Sequence, residues 1–326
     1  MRGYNTGGHM PQPEYRSFRQ GDEESLVALW NSQLVRDPIS LDLFCRQTLA
    51  DPNFADDGLP VAFSGNALAG FALVVAPGTP RVFSQPPGIG RLSAIAVDPA
   101  FRRQGVGNSL LERAMAFLKK RVCTRAVTVA PEYFTAGVDL DAYQAAVVFL
   151  NRRGFTMSGE AVGMGRKLVD LSWPSEGRVA ESRTKAEGIE VRTFRPRDTM
   201  SVTAFFREEF PDWLWYFELK LGREDPPDDI IVAVRSGNVI GYCQRLESDH
   251  VGPFGMAKAW RGRGIGTVML FRLLESMARR GFRFAWFGET GRARTYYERA
   301  GFEVLRRYAV MERDLTVPPP RGERSV

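Results

Sequence analysis

Hydrophobic positions along this chain follow two rhythms. After Gly105 the residues Val106, Leu110, Leu111, Ala114, Phe117 and Leu118 recur on one helical face, and after Gly264 so do Ile265, Met269, Leu270, Leu273, Leu274 and Met277. Each stripe predicts a long amphipathic helix turned toward a core. Shorter apolar runs predict strands. Pro60–Ser64 and 68–75 flank the turn pair Gly65-Asn66, and Ile230–Arg235 and 239–246 flank Ser236-Gly237-Asn238. Residues 92–97 and 250–256 read as further strands, each followed by a glycine-rich turn and then by one of the long helices.

The pattern occurs twice. Arg16-Ser17-Phe18-Arg19-Gln20-Gly21-Asp22 returns as Arg192-Thr193-Phe194-Arg195-Pro196-Arg197-Asp198. Arg102-Arg103-Gln104-Gly105-Val106-Gly107 returns as Arg261-Gly262-Arg263-Gly264-Ile265-Gly266, and Arg153-Gly154-Phe155 is echoed by Ala300-Gly301-Phe302. Three landmarks in one order predict two tandem α/β units, each a central mixed sheet flanked by helices. The expected boundaries are 13–172 for the first unit and 188–316 for the second. Residues 173–187, polar and charged, read as an exposed linker, and 317–326 as a mobile tail.

A length of 326 residues accommodates two such units. Cys45, Cys123 and Cys243 are scattered without CxxC spacing, and only His9 and His250 supply imidazole, so a disulfide framework, a multi-histidine metal site and a Ser-His-Asp triad are not expected. No apolar run approaches the roughly 20 residues that cross a bilayer, and no charged stretch leads into an apolar one near the start. A cytoplasmic protein without membrane partners is the expectation. The net charge of +6 favours an anionic ligand, but no motif points to nucleic acid. Oligomeric state is open.

Strand, glycine-rich turn, helix is a phosphate-binding order, because bare amides at a helix start attract anions and glycine lets oxygen approach the backbone. A P-loop ending in GK[ST] is excluded, since Asn108-Ser109 and Thr267-Val268 follow the last glycines. A dinucleotide fingerprint lacks its third glycine, replaced by Leu110 and Met269, although Glu289 stands near the spacing of its ribose-binding acid. The form [RQ]xxGx[GA] before an amphipathic helix, with Ile95-Ala96-Val97-Asp98-Pro99 leading in, resembles motif A of the GCN5-related N-acetyltransferases. Ala293 to Phe302, with Tyr297 four residues before Gly301-Phe302, resembles the helix ending in YxxxGF of the same family. The first copy has Leu150 at that position. The resemblance covers about 15–170 and 189–315.

The resemblance implies acetyl transfer from acetyl-CoA to a small-molecule primary amine without a metal. The coenzyme diphosphate is expected on Arg102, Arg103, Gln104, Gly105, Val106, Gly107 and Asn108, and on Arg261, Gly262, Arg263, Gly264, Ile265, Gly266 and Thr267. Its pantetheine is expected along Ile95, Ala96 and Val97, and along Phe254, Gly255 and Met256. Tyr297 is the expected proton donor to the leaving thiolate, and Glu247 and Glu289, with Asp249 and His250 behind them, are the candidate bases. Trp213, Trp215 and Tyr216 are candidates for an aromatic acceptor wall, or else packing residues. Leu150 directs catalysis to the second unit and leaves the first to bind coenzyme, regulate or support. The competing reading is a non-catalytic CoA-binding or scaffold protein.

Overall fold

The computed structural model describes residues 12–76, 78, 88–129, 136–221, 229–246, 248–288 and 293–318, apart from the side chains of Asp212, Trp215 and Leu219. In chain order the elements are β1 (Glu14–Ser17), α1 (Glu23–Gln33), α2 (Leu41–Phe44), β2 (Pro60–Ser64), β3 (Ala67–Val75), β4 (Ile89–Val97), α3 (Val106–Lys120), β5 (Arg125–Val127), β6 (Val138–Asp139), α4 (Gln144–Asn151) and β7 (Thr156–Lys167). The second half continues with α5 (Ser175–Ala186), β8 (Ile189–Thr193), α6 (Thr199–Glu209), α7 (Leu214–Leu221), β9 (Ile230–Arg235), β10 (Asn238–Arg245), β11 (Val251–Met256), α8 (Ile265–Arg279), β12 (Phe284–Phe287), α9 (Arg294–Arg299) and β13 (Glu303–Asp314).

Two compact units emerge, but the chain does not divide where its composition shifts. The first unit takes the described residues to 78, 88–160 and 308–318; the second takes those of Ala161–Arg307. Glu312, Arg313 and Asp314 of β13 pair with β5 in the first unit, whereas Met164 to Lys167 of β7 pair with β12 in the second. The expected boundaries at 172 and 316 are therefore corrected: hydrogen-bonded ladders at the ends of these two long strands decide unit membership. The expected linker is corrected too. Residues 175–186 form α5, whose Gly177, Ala180 and Thr184 are buried against the rest of the second unit. Small residues at a three-to-four spacing form the contact stripe, so a composition that reads as exposed still supplies a packing face.

In the first unit β1 to β4 form an antiparallel run, and β4 pairs parallel with β5 only over Ile89 to Arg91. Beyond Arg91 the two strands part. In the second unit β8 to β11 repeat the antiparallel run, and a single parallel bridge, His250 to Trp286, ties the approach of β11 to β12 before they part. The stripe of α3 is buried over Val106, Leu110, Leu111, Ala114, Met115, Phe117 and Leu118, and that of α8 over Ile265, Met269, Leu270, Leu273, Leu274 and Met277 among others. Burial of these side chains is the main force seating each helix on its sheet.

The first repeated motif is a built corner in both units. Arg16 donates to both oxygens of Asp22 at 2.6 and 2.8 Å, and Arg192 to both of Asp198 at 2.6 and 2.9 Å. The backbone amides of Arg19 and Arg195 donate to the same carboxylates. Burial raises the Asp22 carboxyl but Arg16 outweighs it and holds it below the usual carboxylate range, and the hydrogen bond from Arg192 does the same for Asp198. Each pair ties the first strand to the turn that starts the next helix.

Candidate functional site

Each glycine-rich turn begins with an arginine that reaches back. Arg102 Nε donates to Val97 O and Arg261 Nε to Met256 O, both at 3.0 Å, so the guanidinium closes the turn onto the last residue of its strand. Arg102 also donates to Gln33, and Gln104 to Ala100 O. These groups shape the turn rather than project from it. Arg103 is exposed with φ at +59°, where the second copy has Gly262 at +75°. Gly105 (φ +84°) and Gly264 (φ +82°) are the N-caps of α3 and α8, and neither helix start has a side-chain cap. The first-turn amides of Val106 to Asn108 and of Ile265 to Thr267 lie at helix positions that lack an intrahelical acceptor. They fit an anionic group such as the coenzyme diphosphate.

The two turns differ in what stands over the glycine. A Cβ on Gly105 would meet no heavy atom within 4 Å. One on Gly264 would lie 2.7 Å from Ala180 Cβ and 3.2 Å from the Arg183 guanidinium, because α5 packs along α8. Arg183 donates to Arg263 O, Glu187 pairs with Arg263 at 3.5 Å, and Trp173 Nε1 donates to Glu275 at the far end of α8. At Gly264 the missing side chain lets two helices approach.

Around the parting of β11 and β12, Tyr297 is 5% exposed and packs on Phe287 (4.3 Å between centroids), Phe302 (5.7 Å) and Phe254 (6.3 Å). Burial pushes its phenol well above the ordinary tyrosine range, which keeps it protonated. Tyr296 does not turn away from this cluster: it meets Phe254 at 5.9 Å, and its hydroxyl sits beside Gly266 without a well-formed hydrogen bond. The neighbouring tyrosines share an aromatic partner because Phe254 is large enough to touch both.

Of the candidate bases, Glu247 and Glu289 lie outside the described residues. Asp249 accepts from Trp286 Nε1 at 2.9 Å, and His250 stacks on the same indole at 4.0 Å. Asp249 and His250 thus engage one indole, Asp249 at its N–H and His250 on its face, although strict strand alternation would send them to opposite sides. Trp213 stacks on Phe210 at 4.4 Å, and both rings lie against Gly255, within 2.8 Å of the site of a Cβ there. That is packing on β11, the alternative weighed for this ring. Tyr216 is half-buried, and the Trp215 side chain lies outside the description.

Sequence reasoning missed a cleft of about 580 Å³, counted with its open mouth, between the parting strands β4 and β5 of the first unit. Leu92 to Ile95 of β4 line it together with Leu150. Ile95 is half-buried there, and Val97 ends the strand beside Gly107. The signal available in the sequence was Leu150 itself, a smaller side chain where the other copy has a tyrosine. Among the described residues no group of three or more His, Cys, Asp or Glu side chains could hold a metal, and no helix is long and apolar enough to cross a membrane.

The family model for the acetyltransferase (GNAT) family matches residues 15–155 and again 192–302. A mycothiol acetyltransferase of Corynebacterium efficiens is 26% identical over 238 residues, covering 69% of this chain and 75% of the relative. Among solved structures, a GCN5-related glucosamine N-acetyltransferase region within a fungal multi-domain GH3 β-N-acetylglucosaminidase superposes with a TM-score of 0.76 at 20% identity. That match covers 93% of this chain and 38% of the fungal one, so the chain spans little more than a third of that relative. A tandem GNAT protein from the clavulanic acid biosynthesis pathway superposes at 0.63 with 18% identity, covering 93% of this chain and 99% of its own. With two matched copies of the family in one chain and a tandem structure of the same fold, this protein belongs to the GCN5-related N-acetyltransferase family in its tandem, two-unit form.

Proposed function

We propose that the protein transfers an acetyl group from acetyl-CoA to the nitrogen of a small-molecule primary amine, with the chemistry in the second unit and a coenzyme seat in the first. The observation that carries the reading is Tyr297, a buried phenol at the parting of β11 and β12, opposite a leucine in the other copy. When a neutral amine attacks the acetyl carbonyl, the C–N bond forms, the C–S bond breaks and the thiolate must be protonated. A phenol held protonated by its surroundings, and packed too tightly to wander, suits that step. In the first unit the uncapped start of α3 and the open face of Gly105 support binding of the diphosphate. One similar protein is named a mycothiol acetyltransferase and another a glucosamine N-acetyltransferase region, and the amine here is proposed as a small amino compound.

The test is thiol release from acetyl-CoA across an amine panel, with Tyr297→Phe beside the wild type. We expect kcat to fall by about 100-fold while the CoA dissociation constant stays within about twofold. Equal losses in binding and turnover would make Tyr297 a packing residue. The second reading, a CoA-binding protein without turnover, is favoured by Leu150 in the first unit and by the helix α5 against Gly264 in the second. Coenzyme binding with no thiol release from any amine would select it.

A further inference from the structure

The helix α5 precedes the first landmark of the second repeat, yet it is fixed to α8 at three levels. Just before α5, Trp173 packs on Phe271 at 5.3 Å between centroids and donates to Glu275 at 2.6 Å. Midway, Arg272 pairs with Glu181. At the other end Ala180, Arg183 and Glu187 meet the glycine-rich turn itself. The two helices therefore run antiparallel, and the last turn of α5 stands beside the start of α8.

What α5 brings to the turn is a hydrogen bond on one particular peptide. Arg183 donates to Arg263 O, and its guanidinium lies 3.2 Å from the Cβ position of Gly264. In a planar trans peptide the C=O and the N–H point in opposite directions. Held by its oxygen on the α5 side, the peptide between Arg263 and Gly264 turns the Gly264 N–H away from α5. A cationic donor on the oxygen also polarises the peptide and strengthens its N–H as a donor. Helix α5 braces one flank of the turn, whereas Gly266 faces another: its Cβ position is 3.3 Å from Phe254 and 3.7 Å from the Tyr296 hydroxyl, both in contact with Tyr297.

The first unit shows that the turn does not need this brace in order to form. Gly105 has φ +84° against +82° for Gly264, and both glycines cap a fifteen-residue helix. A Cβ on Gly105 would nevertheless meet no heavy atom within 4 Å. The bond from Arg183 is thus an addition to a turn that reaches the same backbone conformation without it.

We propose that Arg183 is a positioning residue for the second coenzyme seat: through Arg263 O it presents the Gly264 amide to the diphosphate, so that coenzyme binding and the docking of α5 favour one another. The inference rests on the reading that acetyl-CoA occupies the second turn. Its consequence is reciprocal, because a docked α5 that raises coenzyme affinity must itself be held down by bound coenzyme to the same degree.

The experiment follows hydrogen exchange of residues 175–186 in the full chain with and without CoA, beside thiol-release kinetics. CoA should slow exchange of α5 about tenfold in the wild type and leave it within about twofold in Arg183→Ala. The same variant should raise the KM for acetyl-CoA about tenfold while the KM for the amine stays within about twofold. Trp173→Phe, which removes the bond to Glu275 at the far end of the helix pair, is the control for mere loosening. It should lower the melting temperature at least as much as Arg183→Ala and keep the acetyl-CoA KM within about twofold, since a helix that is still almost fully docked does not change the affinity. CoA-dependent slowing of α5 without thiol release from any amine would cost the turnover reading and leave this inference standing. Exchange of α5 indifferent to CoA, an acetyl-CoA KM that Arg183→Ala leaves unchanged, or equal rises in Arg183→Ala and Trp173→Phe would overturn it.

Discussion

At Gly105 the turn of the first unit opens to free space, whereas at Gly264 its repeat lies under α5. Both glycines adopt the left-handed conformation and both cap a fifteen-residue helix without a side-chain cap. The backbone thus serves two purposes with one geometry. In the first unit a bare glycine leaves room for a ligand; in the second it leaves room for another helix. The aromatic positions reverse the balance, since the second unit has Tyr297 amid packed rings and the first has Leu150 beside a cleft. The two copies share one frame and differ in what fills these positions.

The comparison is sharpest in stability. Gly264→Ala adds a Cβ against Ala180 and leaves a left-handed alanine, so thermal or urea melting should show a loss of about 3 kcal/mol. Gly105→Ala carries only the conformational penalty and should lose about 1 kcal/mol. Equal losses would mean that α5 is not seated on the turn. Next in size is the hundredfold fall in turnover expected for Tyr297→Phe.

The two arginine–aspartate corners should behave alike despite these differences. Asp198→Asn or Asp22→Asn should each cost about 2 kcal/mol at neutral pH. Because both carboxyls are held below their ordinary value in the folded protein, their contribution is complete above about pH 4 and is lost as pH falls through the lowered folded value. The melting difference between each variant and the wild type should shrink on acidification below pH 4. A cost that grows there would reverse the assigned sign. A further effect is expected in coenzyme binding: Gly105→Glu sets a carboxylate at the open turn and should weaken calorimetric CoA affinity by about tenfold. An unchanged affinity would remove the diphosphate from the first turn.

Much of this architecture is legible in the residue order. The stripes after Gly105 and Gly264 became α3 and α8, and the hairpin of the second copy ran over β9 and β10 as its turn residues indicated. Such signals are local, because a helix face or a two-residue turn is encoded within a few positions of itself. The linker was not legible: Glu176, Arg178, Glu181, Arg183 and Lys185 make 173–187 look solvated, although Gly177, Ala180 and Thr184 form a buried edge between them. Nor was the pairing of Asp37 with Tyr143, whose side chains meet across more than a hundred residues of chain.

Residue order alone established two copies of one α/β frame, two glycine-rich turns each leading into a long helix, and a tyrosine in one copy against a leucine in the other. Packing decided the rest: which glycine faces space and which faces Ala180, which aromatic positions fill and which leave a cleft, and where the units divide along β7 and β13. The reason is that periodicity records which side of an element is apolar, whereas the occupant of that side is chosen by elements distant in the chain, through close-packing that no local pattern records.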